Sequence, residues 1–132
     1  MISLTTEYAL RAMVYLAAQP GRSATTGRIA AGTQVPAKYL TKVMRALTTA
    51  GLVEARRGPD GGHAPARSPA EVTVLDVIKA MEHRRRVVPC PHCTERRPCA
   101  LHRRLDEGIG LFESLFRRTT LDQLIPSENA GV

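Results

Sequence analysis

The chain has 132 residues and a formal charge of +7, with 43% hydrophobic and 23% charged residues. That length holds one modest core rather than two independent ones, and that composition excludes a disordered chain. No stretch reaches the ~18 apolar residues of a membrane span, and Glu7 and Arg11 break the first apolar run where a secretory signal needs continuity, so a cytoplasmic protein with no membrane partner is expected.

The charge is unevenly placed. From Met1 to Arg67 nine Lys or Arg stand against three acidic residues, whereas from Ser68 to Val132 ten stand against nine. A basic first half suits a face that meets phosphate, although a solvated basic surface has the same composition.

In chain order, the first predicted helix opens with Thr5 as N-cap and carries Ala9, Leu10, Met13, Val14 and Ala17 on one face, ending at Gln19-Pro20-Gly21. A second short helix is predicted from about Thr25 to Gly32. A third follows Pro36, a residue suited to the first helical position, and runs to about Ala50, with Gly51 as its stop. Leu52 to Arg67 reads as a two-stranded ribbon with its turn at Arg57-Gly58-Pro59-Asp60-Gly61-Gly62; Pro65 confines the second arm to an edge.

Thr73, with Asp76 three residues on, forms a capping box for a helix ending near Glu82, its buried stripe being Leu75, Ile78 and Met81. The basic run Arg84-Arg85-Arg86 and a proline-rich cysteine loop from Pro89 to Pro98 follow without periodicity. A long helix from about Ala100 to Arg118 then aligns Leu101, Leu105, Ile109, Phe112, Leu115 and Phe116, and Thr120 caps a short last helix ending near Ile125.

Helices two and three have the spacing of a helix-turn-helix. Ala30 permits a close crossing, Ile29, Val35, Leu40 and Val43 fill the shared core, and Gln34 stands at the turn position where glycine is common. The third helix then offers Lys38, Tyr39 and Lys42 near its N-terminal end to base edges and phosphates. The ribbon becomes a wing whose Arg56 and Arg57 reach a neighbouring minor groove, while His63 on the wing is expected to meet solvent or phosphate.

Three cysteines within ten positions, an odd number, speak for metal or redox chemistry rather than a disulfide framework in a reducing compartment. Thiolates suit iron-sulfur clusters and zinc alike. Cys90, Cys93, Cys99 and His102 form a complete Cys3His set for zinc, with His92 an unfavourable ligand beside its neighbours. A metal-free thiol switch is a further alternative. Cys90-Pro91-His92-Cys93 is also formally a CxxC thiol oxidoreductase motif, but the parallel βαβ frame in which such motifs work is missing from the predicted elements.

Three stretches carry a resemblance to a known family. They are Met1-Ile2-Ser3-Leu4-Thr5-Thr6-Glu7-Tyr8-Ala9-Leu10-Arg11-Ala12, then Gly51-Leu52-Val53 with Arg57-Gly58-Pro59-Asp60-Gly61-Gly62, and last Cys99-Ala100-Leu101-His102 with Thr119-Thr120-Leu121-Asp122. The chain resembles the Rrf2 family of bacterial regulators in its IscR/NsrR-like form. The resemblance implies a dimer that binds an iron-sulfur cluster (2Fe-2S or 4Fe-4S) through three cysteines and a fourth ligand. His102 matches a histidine ligand of some members; Glu7 matches a carboxylate that others supply from the partner subunit. The Cys93-x5-Cys99 interval agrees with those members, whereas Cys90-x2-Cys93 is shorter than its counterpart.

The expected architecture is therefore mainly α: a winged helix-turn-helix domain with a small two-stranded wing and a long C-terminal dimerisation helix. Residues 1–82 form the DNA-binding domain, 83–99 the cluster loop, 100–125 the dimerisation helix and short terminal helix, and 126–132 a tail. The expected function is non-enzymatic: a homodimer bound to a double-stranded DNA operator, acting as a repressor whose affinity is switched by the iron-sulfur cluster that the resemblance implies, sensing redox, nitric oxide or iron status, with a zinc-bound or metal-free thiol-switch regulator as the alternative.

Overall fold

The computed structural model describes residues 2–19, 21–59, 61–82, 90–94 and 97–126. The basic run Arg84-Arg85-Arg86, Pro89 and the tail beyond Pro126 lie outside them. Helix α1 (Leu4–Ala17) is capped two residues before the expected position: the Ser3 hydroxyl, not Thr5, accepts the Thr6 N–H at 3.2 Å. Its buried face is Thr6, Ala9, Ala12, Met13, Leu16 and Ala17. The inward stripe is thus rotated from the expected one, and Leu10 and Val14 stand at its half-buried margin.

Helix α2 (Thr26–Thr33) is capped by the Thr25 side chain and ends at Gln34, which adopts the left-handed conformation (φ 59°) that the turn requires. Pro36 then stands at the N-cap of α3 (Ala37–Thr49), one position before the predicted one. Leu40, Val43, Met44 and Leu47 point inward from α3 to Ile29 and Val35. At the end of α3, Gly51 (φ 76°) donates to Thr48 O and Leu52 N–H to Leu47 O, a pairing that satisfies orphan carbonyls through one left-handed glycine.

Strands β1 (Val53–Arg56) and β2 (Gly62–Pro65) pair antiparallel, with Val53 opposite Pro65 and Arg56 opposite Gly62. Pro65 falls at the end of its strand, where the missing donor costs least. The ribbon is fastened to the approach to α2, because Ala24 and His63 exchange both backbone hydrogen bonds at 2.8 Å. A Cβ on Gly62 (φ 135°) would collide with the Ala24 carbonyl, so glycine is required where the wing meets this segment. His63 is consequently not on an open wing: its Nδ1 is buried without a hydrogen-bond partner, and burial pushes its pKa down.

A 3₁₀ turn (Pro69–Glu71) leads to α4 (Val74–Met81), whose capping box is formed by Thr73 and Asp76 at 2.9 and 3.1 Å. Val74, Leu75, Val77, Ile78 and Ala80 of α4 are buried. Helix α5 (Ala100–Arg117) has no buried residue at all within this chain. Its C-terminal end is anchored: Val74 N–H bonds to Thr119 O, Leu121 N–H bonds to Val72 O, and Leu121 enters the core. The expected last helix is a 3₁₀ turn (Leu121–Leu124). No helix among the described residues is long and apolar enough to cross a membrane.

Candidate metal centre and nucleic-acid interface

The described residues of the cysteine loop are joined by backbone hydrogen bonds. Cys93 N–H bonds to Cys90 O at 3.2 Å, closing a turn, and Thr94 and Arg97 exchange backbone bonds at 3.0 and 3.2 Å, reversing the chain toward α5. Cys99 is the N-cap of α5, and His102 occupies the third helical position, the pair of positions that face each other in a capping box. The Cys99 sulfur lies 3.0 Å from His102 Nδ1, Cys93 Sγ lies 3.3 Å from the same nitrogen, and Cys90 Sγ lies 4.0 Å from Cys99 Sγ. All four ligand atoms fall within 4.8 Å of one another. His92, between the first two cysteines, is exposed and outside the group.

The thiols differ. The hydrogen bond from His102, joined by the His102 backbone, brings Cys99 down to about 6, so it is a thiolate at neutral pH. For Cys93 the Cys99 N–H, 3.2 Å away, pulls downward, but desolvation and the adjacent Cys99 and Cys90 thiols leave it above its ordinary value. Three soft sulfurs and an imidazole form a donor set for zinc or an iron-sulfur centre. Glu7 is not in this group within the chain: it stands on the exposed side of α1, paired with Arg11 at 3.0 Å.

The second site is a basic face. Lys38, Tyr39 and Lys42 are exposed on the first turns of α3, with Arg45 one turn further on. Tyr39 is 45% exposed, with the Lys38 ammonium 4.9 Å above its ring and the Tyr8 ring 5.8 Å away. It is therefore held between a core helix and solvent rather than wholly free. Arg57 sits at the wing turn, whereas Arg56 ends β1 and is tied to Glu54 at 3.1 Å and to Gly21 O at 3.4 Å.

Arg22 and Arg28 were not predicted for this face. Together with Thr25, Arg56 and Arg57 they line an open cleft of about 590 Å³ between the N-terminus of α2 and the wing. The signal was the cap sequence Arg22-Ser23-Ala24-Thr25, placed here because Ala24 pairs with the wing. Helix N-terminus, arginines and wing backbone together favour anionic oxygen.

Residues 2–127 match the family described as Rrf2, iron-dependent transcriptional regulator. The chain belongs to the Rrf2 family. A protein of Aquifex aeolicus assigned as a helix-turn-helix-type transcriptional regulator is 33% identical over 97% of this chain and 93% of its own length. The transcriptional regulator NsrR of Shouchella clausii is 28% identical over 94% of this chain and 87% of its own. Among solved structures, CymR, the global cysteine regulator of Bacillus subtilis, superposes with a TM-score of 0.76 at 27% identity, covering 94% of this chain and 95% of that one. The protein is thus a winged-helix, DNA-binding transcriptional regulator of the Rrf2 family and not an enzyme, which removes the oxidoreductase alternative.

Proposed function

We propose that this Rrf2 regulator is a homodimeric repressor whose grip on its operator is set by the metal state of the Cys90-Cys93-Cys99-His102 site. The observation that carries the reading is the convergence of those four side chains on the first turn of α5, a helix none of whose residues is buried among the described residues. Leu101, Leu105, Ile109 and Leu115 are all exposed along it, a continuous apolar stripe that a second copy of α5 would bury.

In such a dimer, Lys38, Tyr39 and Lys42 enter the major groove of each half-site and Arg57 reaches the flanking minor groove, with Arg56, Arg22 and Arg28 on the phosphates between. The path from the cysteine site to this face runs through named contacts. Cys99 caps the start of α5; the segment after α5 is joined to the start of α4 at Thr73 and Thr120; the end of α4 is joined to α1 through Glu82 and Thr6. A change at the cysteines therefore alters how two DNA-reading units are spaced, which is a differential interaction with DNA rather than a local event. A dimer seated across a promoter represses by occupying it.

The family resemblance implies an iron-sulfur cluster here, and three thiolates with one imidazole are chemically suited to one. Supplied at this place, such a centre would lend sensitivity to oxidants, nitric oxide or iron supply. Among the described residues the fourth ligand grouped with the thiolates is His102; a role for Glu7 would require its arrival from the partner subunit. Selection from random duplex DNA tests the DNA-binding part. It should return an inverted repeat, and Lys42→Ala and Arg57→Ala should each weaken binding to it; an asymmetric site bound equally by both variants would overturn the assignment.

A further inference from the structure

Among the described residues His63 alone holds a buried side-chain nitrogen without a hydrogen-bond partner, its Nδ1. It stands where the wing meets the rest of the domain. Its backbone N–H and carbonyl exchange 2.8 Å bonds with Ala24, which is 2% exposed, and the next residue, Ala64, is fully buried. The ribbon is seated through this residue, and Gly62 tightens the junction because a Cβ there would meet the Ala24 carbonyl.

The chemistry of the ring makes that seat sensitive to charge. A neutral imidazole has one N–H and one bare nitrogen, whereas the imidazolium has an N–H on both. With no acceptor at the covered Nδ1, the neutral ring carries its hydrogen on Nε2. Protonation would put a second N–H, and a positive charge, into a covered position with nothing to receive it.

No charge among the described residues offsets that cost. Residues opposed in register share a face of the ribbon, so His63 lies on the side of Ala55, with Glu54 and Arg56 on the other. Glu54 is also paired with Arg56 at 3.1 Å. The segment before α2 brings Arg22, α2 brings Arg28 and the wing turn brings Arg57, all cationic. On α1, which packs against β2, Glu7 and Arg11 pair with each other, and Tyr8 and Tyr15 complete the titratable groups. Burial accordingly holds the His63 pKa below its ordinary 6.5.

We propose that His63 is a positioning residue for the wing arginines: its uncharged ring seats the ribbon on Ala24, and proton uptake at Nδ1 unseats it, withdrawing Arg57 from DNA. This rests on the reading of the wing as part of the DNA face and adds a condition to it. In the unseated wing the ring is exposed and titrates at the ordinary 6.5. Unseating therefore takes up a proton. It is suppressed above 6.5 and becomes progressively more favourable as pH falls from there through the lowered native value.

The test uses the full-length protein, with His63→Phe supplying a flat ring that cannot titrate. Operator affinity of both is measured at one salt concentration, at neutral and at mildly acidic pH. The ratio of parent to variant affinity should fall at least about fivefold on acidification, the low end of coupling between linked sites. Titration at His92, His102 and the cysteines is common to both proteins and cancels. Arg57→Ala should abolish the fall. In the absence of DNA, the Ala24 and His63 amides of the parent should lose hydrogen-exchange protection in acid, after correction for the intrinsic rate, and those of His63→Phe should keep it. Protection independent of pH, or a His63 ring that titrates at or above 6.5 by NMR, overturns the proposal on the parent alone, even where the variant does not fold. A parent-to-variant ratio that rises in acid, the result of an imidazolium that contacts phosphate, overturns it as well. If protection falls in acid while Arg57→Ala binds operator as the parent does at both pH values, the seating stands and the reading of the wing as a DNA contact falls.

Discussion

Thr6 Oγ1 donates a 2.7 Å hydrogen bond to Glu82 Oε1, joining the start of α1 to the residue at which α4 ends. Thr6 is fully buried, and the same carboxylate oxygen accepts the Ser3 N–H at 3.3 Å. The clamp holds in place the point from which the chain departs toward the cysteine loop.

This clamp gives stability a defined pH dependence. Hydrogen bonds from the Thr6 and Ser3 side chains, then from the Ser3 backbone, hold Glu82 below its ordinary carboxylate value of 4.5. The unfolded chain therefore takes up its proton first as pH falls, so the contribution is complete above that ordinary value and is lost as pH drops through the lowered native one. Thr6→Val is expected to destabilise the protein by about 1 kcal/mol in denaturant unfolding at neutral pH, with the difference from the parent shrinking in acid. An equal difference at acidic and neutral pH would place the effect in packing alone.

On the DNA face two kinds of arginine and lysine contact should separate. Arg22→Ala and Arg28→Ala, in the cleft beside the wing, should each lower the slope of log affinity against log salt by about 0.9 while leaving sequence preference intact. Lys38→Ala and Lys42→Ala should change which bases are preferred within the half-site. Fluorescence anisotropy across a salt series with matched and single-base-altered operators distinguishes the two patterns.

Helix α5 supplies the third expectation. Ile109, 45% exposed in the single chain, lies midway along the apolar stripe. Ile109→Glu should convert the proposed dimer to monomer in sedimentation velocity and abolish binding to a full operator, while retaining weak, salt-sensitive association with duplex DNA. Retention of the dimer would move the subunit interface off this helix.

Cys99 should be the most reactive thiol of the metal-free protein at mildly acidic pH. With its thiol lowered to about 6 by His102, alkylation should rise with a midpoint near that pH, and His102→Ala should return the midpoint toward the ordinary 9.0. Mass-resolved labelling under reducing conditions reads each cysteine separately.

Much of this was legible from sequence because the signals were local. The Thr73-Asp76 capping box, the Gly51 stop, the left-handed turn at Gln34 and the cysteine spacing each depend on residues within a few positions of one another. What was not legible came from pairing at a distance. Arg22 and Arg28 join the wing arginines because Ala24 bonds to His63, and the same pairing leaves half-buried, with its Nδ1 covered, a histidine that the sequence reading placed against solvent or phosphate. The shift of the first cap from Thr5 to Ser3 has a similar cause: Thr6 is claimed by Glu82, 76 positions away, and the helix starts where Ser3 can serve both.

Operator affinity at one fixed salt concentration, compared among anaerobically prepared metal-loaded protein, the same protein stripped by chelator under reducing conditions, and Cys99→Ala, measures the coupling between the cysteine site and the DNA face. Loaded and stripped protein should differ by at least about fivefold in Kd, the low end of coupling between linked sites, with Cys99→Ala matching the stripped form. Identical Kd values and salt slopes for all three would contradict a metal-dependent switch and leave a DNA-binding protein whose cysteines serve another purpose.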